Sequence, residues 1–140
     1  MEKKRVKKMD YLGNHLLVEL YNCDSDKLND LKRVEWVLGE AVRISGATAL
    51  KASFHQFEPQ GVSGVIIIAE SHFTIHTWPE YGYAALDIFT CGESIDSQKA
   101  LDYIEKELAV KTLSVTEIKR GNIHFPLKIS KKISSKVGVF

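Results

Sequence analysis

The sequence predicts an α+β domain, an antiparallel sheet with two helices on one face. Three observations carry that expectation. Six segments alternate apolar with polar residues or form short β-branched runs. Two segments carry apolar residues at helical i, i+3, i+4 spacing, and the turns in the middle of the chain are too short for parallel crossovers. A length of 140 residues, 44% hydrophobic and 26% charged, suits one domain (1–140) with a substantial core and argues against disorder or a disulfide scaffold.

Residues 13–21 (GNHLLVELY) read as the first strand. Asp24, Ser25 and Asp26 then supply capping side chains. Leu28, Leu31, Val34, Leu38, Ala41 and Val42 follow on one face of a single helix of about five turns, which Gly46 ends. Residues 48–57 alternate again, with Leu50, Ala52, Phe54 and Gln56 on one side, and Glu58-Pro59-Gln60-Gly61 is a turn. The run Val65-Ile66-Ile67-Ile68 reads as a strand covered on both faces. In residues 72–77, Phe73 and Ile75 oppose His72, Thr74 and His76. Residues 84–90 form the next strand, with Cys91-Gly92 at its exit. Residues 94–97 cap a second helix whose stripe is Ala100, Leu101, Ile104 and Leu108, and 110–118 is the last strand. Helices on one face leave the other without cover, and a two-fold homodimer, an α/β/β/α sandwich, is the expected solution.

The net charge of +1 is unevenly spread. Residues 1–9 and residues 128–140 each carry +4, which leaves −7 for the residues between. The basic ends lack interleaved aromatics, so they read as solvated, flexible ends, and no nucleic-acid partner is expected. The acidic body favours a cationic small ligand. The apolar run at 62–69 is far short of the roughly 20 residues that cross a bilayer, and the basic start has no apolar stretch of a secretory signal behind it. With two cysteines and no framework, a cytoplasmic location and no membrane partner are expected.

Polar and reactive residues crowd the middle of the chain: Ser63, Glu70, Ser71, His72, His76, Glu80 and Cys91. His72-x-x-x-His76 has the spacing of a helical zinc motif, but on a strand those positions stand roughly 13 Å apart, too far for one ion. No metal is expected. There is no G-x-S-x-G elbow, phosphate loop or dinucleotide fingerprint. Cys91 reads either as a reactive thiol at a strand exit or as a small buried apolar group, and Cys23 reads as structural. His15, His55 and His124 read as surface or packing residues, and His72 has no assigned role. The residues alone stop at a small α+β domain with a polar cluster on one sheet.

Longer blocks carry a resemblance. FEPQGVSG at 57–64, AESHFTIHTWPEYG at 69–82 and FTCG at 89–92, with Gly-x-His-Leu at 13–16 and Ser-Gly-Ala at 45–47, together resemble the S-adenosylmethionine decarboxylases of the short prokaryotic type. The likeness runs from about 13 to 118 and fades at both basic ends.

The resemblance implies a zymogen that cuts itself between Glu70 and Ser71 into a β chain, 1–70, and an α chain, 71–140. Ser71 becomes a pyruvoyl group, the cofactor, with neither metal nor pyridoxal phosphate expected. That group forms a Schiff base with the substrate amine and accepts the electrons released with CO₂. By the same resemblance, Ser63 assists processing, His76 is the processing base and Cys91 donates a proton after decarboxylation. Glu80 grips the ribose hydroxyls, Phe57 stacks on adenine, and a second stacking partner comes from near Tyr11 or Leu12. The implied partners are S-adenosylmethionine and a second copy of the chain, with Ser71 and Cys91 of one subunit meeting Phe57, Ser63, His76 and Glu80 of the other. The implied product is the aminopropyl donor for spermidine synthesis. Two other readings remain: a pyruvoyl-dependent arginine decarboxylase, and a catalytically inactive regulatory relative.

Overall fold

Period-two alternation in six segments becomes six strands of one sheet. The computed structural model describes residues 11–123; the basic ends at 1–9 and 128–140, and His124, lie outside them. In chain order the elements are β1 (Tyr11–Tyr21), α1 (Ser25–Leu28), α2 (Leu31–Ser45), β2 (Ala49–Gln56), β3 (Val62–Ile68), β4 (Ser71–Trp78), β5 (Tyr83–Cys91), α3 (Ser97–Glu107) and β6 (Thr112–Asn122). A 3₁₀ turn, Pro79–Tyr81, joins β4 to β5. The strand order is β2-β3-β4-β5-β1-β6 and every neighbouring pair is antiparallel. The α+β class and the antiparallel sheet agree with the sequence reading.

Alternate residues of the strands build the core. Leu16, Val18 and Leu20 of β1, Ile66 and Ile68 of β3, Phe73 and Ile75 of β4, and Leu86 and Ile88 of β5 are all buried. Val34, Val37, Leu38, Ala41 and Val42 of α2, with Ala100, Leu101 and Ile104 of α3, close over that same face. Each Val, Leu, Ile or Phe among them contributes about 1.5–3 kcal/mol when taken out of water. Gly46 ends α2 at φ +86, where its N–H bonds Arg43 O and Ala47 N–H bonds Val42 O.

Three expectations need correction. The first helix is broken, not continuous: Asp24 accepts from the N–H groups of Asp26 and Lys27, and Asp30 accepts from that of Arg33, so helix starts twice. Asn29 and Asp30 favour such capping over a helix interior. Leu50 does not share the side of Phe54; a bulge between Ala49 and Lys51 throws it out of the alternation, and it is 65% exposed. Nor is β3 covered on both faces, because the chain supplies helices to one face alone and Ile67 is 46% exposed on the other. The same open face presents Ile118, Trp78 and Tyr21. Among the described residues no helix is long and apolar enough to cross a membrane.

Gly64 is required by a cross-strand neighbour. It lies opposite Phe54, and a Cβ there would run into the Phe54 ring. Gly64→Ala is expected to destabilise the fold by about 1–3 kcal/mol in denaturant titration, with Phe54→Ala in the same chain removing the clash and making the two effects non-additive.

Candidate functional site

The β3–β4 hairpin turns through Ala69 and Glu70. Glu70 has φ +77, in the left-handed region where a side chain costs about 1–2 kcal/mol. Ser71 follows as the first residue of β4, and its hydroxyl lies against the carbonyl oxygen of Glu70. Cys91, the last residue of β5, brings its Sγ to 3.3 Å from Ser71 Oγ. A bent backbone, a hydroxyl and a thiol thus meet at one end of β4.

A second group lies at the other end. Ser63 and His76 are direct cross-strand partners, and Ser63 Oγ is 2.7 Å from His76 Nδ1. The turn after β2 carries Phe57, 46% exposed, and the 3₁₀ turn after β4 carries Glu80. Phe57, Ser63, His76 and Glu80 line one hollow of about 260 Å³, together with Gln60, Gly61, Thr77 and Trp78. The candidate residues Glu70, Ser71 and Cys91 therefore fall in one group, and Phe57, Ser63, His76 and Glu80 in another. The two are not joined within the chain, since the five-residue step from Ser71 to His76 spans roughly 16 Å of extended strand.

Several neighbours of the first group carry no role from the sequence reading. His72 and Phe89 are cross-strand partners on the open face, and His15 of β1 stands beside both, its ring 6.1 Å from that of His72. Asp87 Oδ1 lies 3.5 Å from His15 Nε2, and Asp87 Oδ2 accepts from the Thr74 hydroxyl at 3.1 Å. The Arg120 guanidinium, from β6, rests 4.8 Å above the Phe89 ring. Burial holds the His72 pKa below its usual value; the His15 and Arg120 charges act in the same direction and Asp87 against it. Beyond the second group, the Tyr83 hydroxyl donates to Glu19 at 2.5 Å. Burial, with that bond to a carboxylate, pushes the Tyr83 pKa up to about 12.

His72 and His76 sit on a strand, so their spacing does not converge on an ion. Among the described residues no three His, Cys, Asp or Glu side chains group as metal ligands. Cys23 is buried and free, and burial raises its pKa to about 11, as suits a structural thiol.

Residues 14–121 match the sequence profile of a family described as S-adenosylmethionine decarboxylase. The chain belongs to that family. It is similar to the S-adenosylmethionine decarboxylase proenzyme of Thermoanaerobacter sp. (strain X514), 47% identical over 121 residues that cover 86% of this chain and 98% of the relative. The proenzyme of Carboxydothermus hydrogenoformans is 50% identical over 113 residues, covering 81% and 89%. Among solved structures, the adenosylmethionine decarboxylase of Aquifex aeolicus matches with a TM-score of 0.75 and 35% identity, covering 89% of this chain and all of that one. Family membership thus rests on sequence and on fold together.

The lowered His72 pKa has a pH consequence. The folded chain favours the neutral imidazole, so the unfolded chain binds more protons, and stability is lost as pH falls from the unfolded value near 6.5 through the lower folded one. His72→Gln is expected to narrow the fall in melting temperature between about pH 7.5 and pH 5 relative to the parent chain. An equal fall in both would remove His72 from the acid response.

Proposed function

We propose that the chain is a pyruvoyl-dependent S-adenosylmethionine decarboxylase that matures by cutting itself between Glu70 and Ser71. The observation that carries this reading is the geometry of that bond: a non-glycine residue at φ +77, followed by a serine whose hydroxyl lies against the preceding carbonyl. Those residues fit the formation of a pyruvoyl group. Ser71 Oγ adds to the Glu70 carbonyl carbon, the C–N bond breaks, and the peptide becomes an ester. Loss of the Ser71 α-proton to a base then breaks the Oγ–Cβ bond and frees Glu70 as a carboxylate. Water next displaces ammonia from the new end, leaving the 71–140 chain with its keto terminus. In a shared site, His76 of a second copy, hydrogen-bonded to Ser63, is the base, and that Ser63 steadies the oxygen charge that develops in the first step.

The chemistry a pyruvoyl group supplies is an electron sink for the pair released with CO₂. Cys91, whose Sγ lies 3.3 Å from the Ser71 hydroxyl before the cut, would stand beside that group as the proton donor to the substrate α-carbon. Phe57 offers a half-exposed ring for adenine, Glu80 offers a carboxylate for the ribose hydroxyls, and both line the same hollow. An acidic body and aromatic walls suit a sulfonium cation. The relatives carry the S-adenosylmethionine name, which favours that substrate over arginine. The two free cysteines suit a reducing cytoplasm.

The separation of the two groups supports a homodimer with shared sites. Face-to-face pairing about a two-fold axis brings the Ser71–Cys91 end of one copy to the Ser63–His76 end of the other. It also covers the exposed Ile67, Ile118, Trp78 and Tyr21.

Denaturing mass spectrometry of freshly purified protein is expected to give two species divided at Glu70–Ser71, the second lighter than its unmodified sequence by one ammonia. CO₂ release from S-adenosylmethionine and not from arginine completes the test. A single uncut species overturns the mechanism, and release from arginine alone overturns the substrate. Shared sites are tested by mixing Cys91→Ala with Glu80→Gln chains during expression. Heterodimers then hold one intact site, and about a quarter of wild-type activity is expected to return, against none if each site lies within one copy.

A further inference from the structure

The break between α1 and α2 places a short segment against both walls of the hollow that holds Phe57, Ser63, His76 and Glu80. Asn29 Oδ1 accepts two hydrogen bonds, from the Gly61 backbone N–H at 2.9 Å and from Gln56 Nε2 at 3.1 Å. Gln56 Nε2 also donates to Gly61 O at 2.9 Å, and Phe57 N–H donates to that same oxygen at 2.8 Å. The turn that carries Phe57 is therefore closed on itself and tied to Asn29. On the other wall, the Ser25 hydroxyl donates to Pro79 O at 2.8 Å, holding the 3₁₀ turn that carries Glu80. Between them, the buried Thr77 hydroxyl donates to Leu28 O and accepts from Val62 N–H, the residue before Ser63.

We propose that residues 25–29 form a clamp that fixes the spacing of the two walls, and that Asn29 is its positioning residue for Phe57. Asn29 touches no substrate; it acts through the turn. It is exposed and its backbone φ of −94 suits any residue, so nothing in the core requires it. Its side-chain oxygen accepts from the Gly61 N–H and from Gln56 Nε2, which also reaches Gly61 O, so losing that oxygen releases the Gly61 N–H and unties the Phe57 turn from α1 while leaving the Ser71 end of β4 untouched. An aspartate keeps the acceptor and should keep the clamp. The role of the clamp in substrate binding rests on the decarboxylase reading above; the clamp itself does not.

Two measurements separate those claims. In Asn29→Ala, the Gly61 amide is expected to exchange with solvent deuterium at least about tenfold faster than in the parent chain, as befits one lost hydrogen bond, with Asn29→Asp close to the parent. This readout needs no activity. In steady-state assays with S-adenosylmethionine, Asn29→Ala is expected to raise KM about tenfold, with kcat changed less than about twofold and cleavage at Glu70–Ser71 complete; Asn29→Asp is expected to restore KM. Unchanged Gly61 exchange in Asn29→Ala, or an Asn29→Asp chain as loose as Asn29→Ala, overturns the clamp. Faster exchange with unchanged KM overturns its role in binding. A parent chain that neither cuts itself nor releases CO₂ overturns the decarboxylase reading and leaves the exchange result to decide the clamp.

Discussion

Side chains alternate along a strand, and in this sheet one row of each central strand is spent on the core while the other faces outward. The rest of the structure depends on that division. Phe73 and Ile75 lock β4 against the helices, and their neighbours His72, Thr74 and His76 are left free of the core by the same pleat. A one-residue slip of β4 would bury two histidines and expose the largest fully buried side chain, Phe73, so the register that protects the core also sets Ser63 opposite His76.

Much of this was legible from residue patterns, for identifiable reasons. Alternation in residues 72–77 predicts the outward row because one face is strongly apolar and the other strongly polar. Capping by Asp96 and the stripe of Ala100, Leu101 and Ile104 make α3 readable in the same way. The break at Asn29–Asp30 leaves no mark in the periodicity because Leu28 and Leu31 keep helical spacing across it; the apolar stripe is blind to two carboxylates, of Asp24 and Asp30, that compete for nearby N–H groups. The bulge at Leu50 is equally silent, since alternation says nothing about an extra residue at an edge.

The candidate site divides along the same line. Ser63, Glu70, Ser71, His76, Glu80 and Cys91 stand out as reactive types in a short stretch of chain, and the family resemblance assigns them roles. The surroundings of the Ser71 end do not stand out, because His15 and Arg120 are 105 residues apart in sequence and meet only when β1 pairs with β6. A periodicity argument has no access to such a contact. Neither could it find Asn29, whose value lies in one oxygen aimed at a turn 32 residues away.

Under the proposed cut at Glu70–Ser71, the strand order would have a kinetic meaning. β1, β2 and β3 belong to one piece and β4, β5 and β6 to the other, so the order β2-β3-β4-β5-β1-β6 interleaves them. Three of the five ladders then join different pieces, with β1 gripped between β5 and β6. α2 of the first piece packs on α3 of the second. The severed pieces cannot part without unzipping most of the sheet. Once unzipped, they must find each other by diffusion, where the intact chain needs only to close a two-residue turn. If the chain matures as proposed, assembly would be a unimolecular event before the cut and a concentration-dependent encounter after it, and maturation would work as a ratchet that uses the easy folding route once.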